Sequence, residues 1–360
     1  MIRSLSMALL SCALFFGLGE IGARWWIHSE GSALDKTRAV LMIDPHVGWR
    51  QRPNLDTTFI GRELQTDDRG WRVSGDVPVD AAREILVLGP SSTFGWGVDG
   101  RETYAAQLQK LLPGTQVHNA GQIGFSSEQG MRLFSFPDVE ALKSDFVIIA
   151  YGINDLDLHR FHFQSDLSDA DAFSRLEPSF TFSLMNAVGK SALLTAIQRA
   201  AGALKTPPVF VPSLRVPPAE FGENIKKLVR AAHAKGSEVV LLTTSTNLPY
   251  MSDSGGLYST KALYERARET FNAGDVDDAL RYLEQARVSE PARIRNDIRF
   301  YNDALRTVAP DEGVPLLDLE KLFVGRDREA LFVDPIHFSA EGNRLIAEGL
   351  RAILSDIAIQ

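Results

Sequence analysis

Three short apolar runs limit the fold most: Ile85-Leu-Val-Leu88, Phe146-Val-Ile-Ile-Ala150 and Val239-Val-Leu-Leu242. None alternates apolar with polar residues, so a strand built from any of them is covered on both faces. Helical spacing separates them. Tyr104 to Leu112 follows the first run, Phe221 to Ala234 precedes the third and stops at Gly236, and a helix starts at Ser339. Val117 to Asn119 and Val314 to Leu319 read as further short strands. Strands that alternate with helices pair in parallel, because each helix serves as the crossover. An α/β domain with a parallel sheet between helices is therefore expected.

The chain has 360 residues, 44% hydrophobic and 23% charged, enough to bury a full core. Its formal net charge of −8 repels a phosphate backbone, so no nucleic-acid partner is expected. The single cysteine, Cys12, lies in an N-terminal apolar run. A disulfide, a Cys-based zinc site and an iron–sulfur cluster are thus excluded from the folded part.

Arg3 precedes an uncharged stretch, Leu5 to Gly19, which is followed by Glu20, Arg24 and Trp25-Trp26. This has the form of an export segment. Residues 1–30 read as a signal anchor or a signal peptide. The ion-pair spacing of Glu20 and Arg24 and the two tryptophans suit a membrane interface, whereas Gly17-Leu18-Gly19 offers a small-x-small cleavage site. With Arg3 on the inner side, the remainder is expected to face the periplasm, anchored to the inner membrane, or to be secreted.

Residues 31–80 read as a polar, turn-rich lead-in of short strands and turns with no obvious chemistry, and residues 81–360 form the main domain. Within it, residues 257–291 differ in character. Leu263, Ala267, Gly274, Ala279, Leu283, Ala286 and Pro291 fall at the spacings of one tetratricopeptide unit, which predicts an inserted helical hairpin. A single unit cannot make a solenoid, so the hairpin either packs on the sheet or contacts a protein partner or the substrate.

Four separated segments carry chemistry. Ser91, in Gly89-Pro90-Ser91-Ser92-Thr93, follows a strand at the carboxyl edge where open α/β sheets bind ligands. Gly121, in Asn119-Ala120-Gly121-Gln122, lets a backbone N–H approach a ligand. Asn154, in Gly152-Ile153-Asn154-Asp155, brings an amide donor to the same edge. Asp334-Pro335-Ile336-His337 places a carboxylate three residues before a histidine, where it can fix the ring tautomer that accepts a serine proton.

In this order the four segments resemble the blocks of the SGNH hydrolase family, the GDSL-type lipases and esterases, over about Glu84 to Leu354. The resemblance implies a three-layer, flavodoxin-like α/β/α fold. It also implies Ser91 as nucleophile, His337 as base and acid, Asp334 as the residue orienting His337, and an oxyanion hole made by the Ser91 and Gly121 N–H groups and the Asn154 side chain. The leader looks like that of exported bacterial members, with a Gly-Trp-Arg/Pro-Asn stretch at Gly48 to Asn54 and a Gly-aromatic-Arg turn at Gly70-Trp71-Arg72. One residue departs: Pro90 stands where the family has aspartate, and proline has no N–H.

No cofactor and no metal are expected. Asp155, Asp157, His159 and His162 alternate as metal ligands could, yet Asp155 belongs to a family block and histidines beside an active-site loop need no metal. Gly95-Trp96-Gly97 and Gly121 to Gly124 do not fit a dinucleotide fingerprint. Phe161, Phe163 and Phe182 read as core or as the wall of an acyl or glycan pocket. The expected function is a serine esterase removing short acyl groups, acetyl among them, from a cell-envelope or extracellular carbohydrate. Two alternatives are an O-acyltransferase using the same triad and a non-catalytic envelope scaffold.

Overall fold

A computed structural model describes residues 16–23, 39–75, 81–157, 167–176, 191, 193, 197, 213–248 and 256–357. Its centre is a five-stranded sheet of β5 (Arg83–Leu88), β6 (Thr115–Asn119), β7 (Phe146–Ile149), β8 (Glu238–Leu242) and β9 (Leu316–Leu317), in the order β6-β5-β7-β8-β9. Every neighbouring pair is parallel. The chain leaves β5 outward to β6 and then returns to its other side at β7, which makes β5 the point where the winding reverses.

Both faces of the sheet are apolar because both are covered. Leu86, Leu88, Val147, Ile149, Val239 and Leu241 pack on one side with α3 (Ser127–Phe134), α6 (Pro218–Ala234) and the second half of α8 (Val276–Asp311). Ile85, Val87, Ile148, Val240 and Leu242 pack on the other with α2 (Tyr104–Leu111) and α11 (Ala340–Ile357). This is the three-layer architecture that the uninterrupted runs predict.

Two small antiparallel hairpins precede the sheet, β1 (Leu41–Asp44) with β2 (Gly48–Gln51) and β3 (Asp56–Phe59) with β4 (Arg62–Gln65). They are fastened to the main domain. Trp49 Nε1 donates to Ile123 O at 2.7 Å, Gln129 Nε2 donates to Val47 O at 2.6 Å, and Arg72 pairs antiparallel with Asn119 at the edge of β6. The buried Arg72 side chain donates to Glu63 O and Val98 O and lies 4.8 Å from the Phe94 ring. The lead-in thus braces the back of the segment that carries Ser91.

Between β8 and β9 lie two long helices, α7 (Gly256–Asn272) and α8, joined by a turn through Gly274 at φ +88°. The second helix does not stop at Pro291, where the repeat spacing places its end; it runs on for five more turns. Proline removes one backbone hydrogen bond, but beyond it Ile298, Tyr301, Leu305 and Val308 are buried against the sheet layer, and that packing sustains the helix.

The expected export segment falls outside the described residues except for 16–23, which are helical. Among the described residues no helix is long and apolar enough to cross a membrane. His159, His162, Phe161, Phe163 and Phe182 also lie outside the described residues.

Candidate active site

The site forms where β5, β6 and β7 end. After Leu88 the chain turns through Gly89 and Pro90 into the four-residue helix α1 (Ser91–Phe94), so Ser91 is its first residue. Gly89 is required by packing, since a Cβ there would stand 2.8 Å from Ala150 O at the end of β7. Pro90 occupies the N-cap position at φ −86° without offering a side-chain cap. It accepts through its carbonyl from Thr93 N at 3.0 Å and Phe94 N at 2.9 Å, so the turn closes without the family's aspartate.

The Asp334 to His337 segment approaches from the far end of the sheet. Val333 N donates to His337 O at 2.9 Å, and Phe332 bridges Phe338, which pinches the segment into a closed loop. Beneath it Phe323, Phe332 and Phe338 form an aromatic cluster. Asn247 N donates to Pro335 O at 2.8 Å, tying the loop to the segment after β8. That segment is held in turn by Asn302 of α8, whose side chain accepts from Thr244 N at 2.9 Å and donates to Thr244 O at 2.8 Å.

The loop delivers a continuous polar chain. Ser91 Oγ lies 2.8 Å from His337 Nε2, and His337 Nδ1 lies 2.7 Å from Asp334 Oδ2. The other oxygen, Asp334 Oδ1, accepts from Ile336 N and His337 N, each at 2.9 Å. Burial raises the Asp334 carboxyl, but the His337 hydrogen bond and charge and these two N–H groups outweigh it and hold the group below its ordinary value. Asp334 is therefore an anion at neutral pH. Ser91 and His337 are buried, whereas the Asp334 side chain is 34% exposed.

Residues 119–125 form the facing wall. Asn119 links it to α1: its Nδ2 donates to Thr93 O at 2.9 Å while its Oδ1 accepts from Gly121 N at 3.1 Å. Gln122 N donates to Gly89 O at 2.9 Å. Gly121 lies directly against the nucleophile helix, and a Cβ there would come within 2.8 Å of Thr93 C and 2.9 Å of Phe94 Cα. On the third side Asn154 Nδ2 donates to Phe125 O at 3.0 Å.

The three expected oxyanion donors therefore differ in readiness. Asn154 has a second amide hydrogen, and the Ser91 N–H has no acceptor among the described residues. The Gly121 N–H is already engaged by Asn119, so it can serve an oxyanion only by sharing.

Behind Asn154, Asp155 is fully buried and accepts from Ser127 N at 2.7 Å and Gly152 N at 3.0 Å, which fixes the turn. Burial pushes its carboxyl up to about 6 against those bonds. A buried ion pair braces the same region: Arg215 Nη2 contacts Asp169 Oδ2 at 2.8 Å, while Nη1 donates to Gly124 O at 2.7 Å. Reasoning from sequence missed this pair and also Trp96, whose ring stacks on His337 with centroids 5.3 Å apart and planes 20° apart. Both contacts join residues far apart in sequence. The glycines flanking Trp96 were its only sign.

A hydroxyl held on an imidazole whose other nitrogen faces a carboxylate can lose its proton as it attacks an acyl carbon. The sequence model of the GDSL-like Lipase/Acylhydrolase family matches residues 87–345, a span that includes Ser91, Gly121, Asn154, Asp334 and His337. The chain belongs to the GDSL-like lipase/acylhydrolase family. It is accordingly a hydrolase of the GDSL type, acting on ester bonds.

Solved structures similar to this GDSL-type chain include LAE5, an alpha/beta hydrolase enzyme from the metagenome of Lake Arreo, Spain, at 18% identity and TM-score 0.43, covering 77% of this chain and 96% of that one. The acetyl xylan esterase AlAXEase is similar at 15% identity and TM-score 0.43, covering 75% and 98%. The psychrotrophic esterase EstA from Pseudoalteromonas sp. is similar at 13% identity and TM-score 0.42, covering 77% and 100%. Among curated proteins none matches this chain.

Proposed function

We propose that this GDSL-type hydrolase is a serine esterase that removes short acyl groups, acetyl among them, from a carbohydrate of the cell envelope or extracellular space. The observation that carries the catalytic part is the unbroken Ser91–His337–Asp334 chain, with contacts of 2.8 and 2.7 Å. Ser91 Oγ attacks the ester carbonyl while His337 Nε2 accepts its proton. The carbonyl oxygen, now negative, is met by Asn154 Nδ2 and the Ser91 N–H, with the Gly121 N–H shared from Asn119. As the tetrahedral centre collapses, the ester C–O bond breaks and His337 returns its proton to the departing alcohol. Water then attacks the acyl-serine with His337 again as base, and the carboxylic acid leaves with Ser91 restored. An oxyanion donor of this kind contributes about 2.7 to 4 kcal/mol to the barrier reduction.

The location outside the cytoplasm rests on Arg3 and the uncharged stretch from Leu5 to Gly19. The test is to incubate the protein with an acetylated polysaccharide and measure free acetate against acetyl transferred to an added, unacetylated glycan. Stoichiometric acetate that disappears with Ser91→Ala supports hydrolysis. Acetyl gained by the acceptor without matching acetate means that a sugar hydroxyl resolves the acyl-serine, and the esterase reading is replaced by an O-acyltransferase one.

A further inference from the structure

Gly95-Trp96-Gly97 has no part in the roles assigned above, yet its conformation and contacts are closely fixed. Trp96 follows α1 directly, and its N–H donates to Ser91 O at 3.0 Å. Gly95 and Gly97 adopt φ of +90° and +80°, the left-handed region that disfavours side chains. A Cβ at Gly95 would collide with Thr103 Cγ2, and one at Gly97 would stand 2.8 Å from Val333 Cγ2, beside Asp334. The two glycines turn the chain sharply on either side of the indole. Phe59 of β3, itself buried, meets that indole edge-on with centroids 5.2 Å apart and planes at 88°. Trp96 is thus fixed by the lead-in and lies nearly parallel to the His337 ring at 5.3 Å.

We infer that Trp96 is a positioning residue for His337: the indole holds the imidazole plane so that Nε2 stays on Ser91, and its π face stabilises the imidazolium while that ring carries the serine proton. The inference rests on the Ser91–His337 reading of the site. The His337 ring meets Asp334 at Nδ1, Ser91 at Nε2 and the uncharged Trp96 across its face. Asp334 and Ser91 act on the ring edge, whereas Trp96 lies against its face and so opposes rotation out of plane. The attraction between an aromatic face and a cation is absent when the imidazole is neutral and present once it is charged. It therefore favours the transition state over the resting enzyme, which raises kcat and leaves substrate binding alone. The lead-in, which supplies Phe59, belongs to the catalytic centre by the same argument.

The test uses the full chain with Trp96→Leu and Trp96→Phe, read as kcat and KM on p-nitrophenyl acetate, together with tryptophan emission as a function of pH. Trp96→Leu is expected to lower kcat roughly tenfold with KM within about twofold, and Trp96→Phe to recover most of the loss because it restores an aromatic face. Protonated imidazole quenches a stacked indole. Wild-type emission should therefore fall as pH drops, and that step should vanish in His337→Gln and in Trp96→Phe. It should persist in His118→Gln, the control for Trp71, which lies 5.9 Å from His118. A Trp96→Leu kcat within twofold of wild type, a Trp96→Phe no better than Trp96→Leu, or an emission step unchanged in His337→Gln overturns the inference. The emission comparison between wild type and His337→Gln holds even where Trp96→Leu fails to fold. Full activity retained in Ser91→Ala would instead overturn the esterase reading, and the emission step would still decide the stack.

Discussion

Gly121→Ala tests how tightly the nucleophile helix and the facing wall are locked together. Gly121 has a φ outside the left-handed region, so its backbone conformation accepts an L side chain and only contact opposes one. The added Cβ would stand 2.8 Å from Thr93 C and 2.9 Å from Phe94 Cα, with Phe94 N nearer still, whereas ordinary contact begins at 3.4 Å. These are backbone atoms of α1, pinned by the bonds from Phe94 N to Pro90 O and from Asn119 Nδ2 to Thr93 O. Relief therefore needs a separation of the two segments by roughly 1 Å, and a misplacement of that size costs a reaction about 10²-fold. Overpacking of this kind costs about 1–3 kcal/mol of stability, which a folded domain survives. The assay is kcat on p-nitrophenyl acetate at a temperature where circular dichroism shows the variant folded. A folded Gly121→Ala with kcat within threefold of wild type would show that the contact yields without disturbing the site, and the reasoning would fail.

Asp334→Asn keeps the loop's shape but removes the anion at His337 Nδ1, and kcat should fall on the order of 10²- to 10⁴-fold; a loss under fivefold would remove Asp334 from the mechanism. Arg215→Ala leaves Asp169 buried without its guanidinium, with Ser126 Oγ still donating to it, so urea denaturation should show about 3–5 kcal/mol less stability, and a change under 1 kcal/mol would contradict the buried-pair account. Asp155 supplies a pH prediction. Its folded-state value, pushed up to about 6 by burial, lies above the ordinary 3.8, so the stability it contributes is fully present below 3.8 and lost as pH rises through about 6. Wild type should therefore gain on Asp155→Asn in urea midpoint when compared at pH 4.5 rather than 7.5, and an equal difference at both values would refute the assignment.

The sheet was legible because its strands are covered on both faces: Ile85 to Leu88, Phe146 to Ile149 and Val239 to Leu242 carry no polar residue to alternate. Ser91, Gly121, Asn154 and His337 were legible because each lies in a short segment next to a strand end or a helix start. What escaped depends on contacts across the chain. Pro291 reads as a helix end, yet burial of Ile298, Tyr301 and Leu305 carries the helix past it. The lead-in reads as short strands and turns, but its attachment to the main domain does not, because the partners of Trp49, Phe59 and Arg72 lie at Ile123, Trp96 and Val98. The state of the Gly121 N–H also could not be foreseen, since its acceptor is a side chain only two residues away whose other end is set by α1.

The central claim is that Ser91 is a nucleophile activated by His337. Fluorophosphonate treatment of the full chain, followed by peptide mass analysis, tests it most directly. One adduct per chain, located on Ser91 and lost in both Ser91→Ala and His337→Ala, is the predicted result. An unlabelled wild-type protein that is folded and hydrolyses p-nitrophenyl acetate, or an adduct on another residue, would contradict the account.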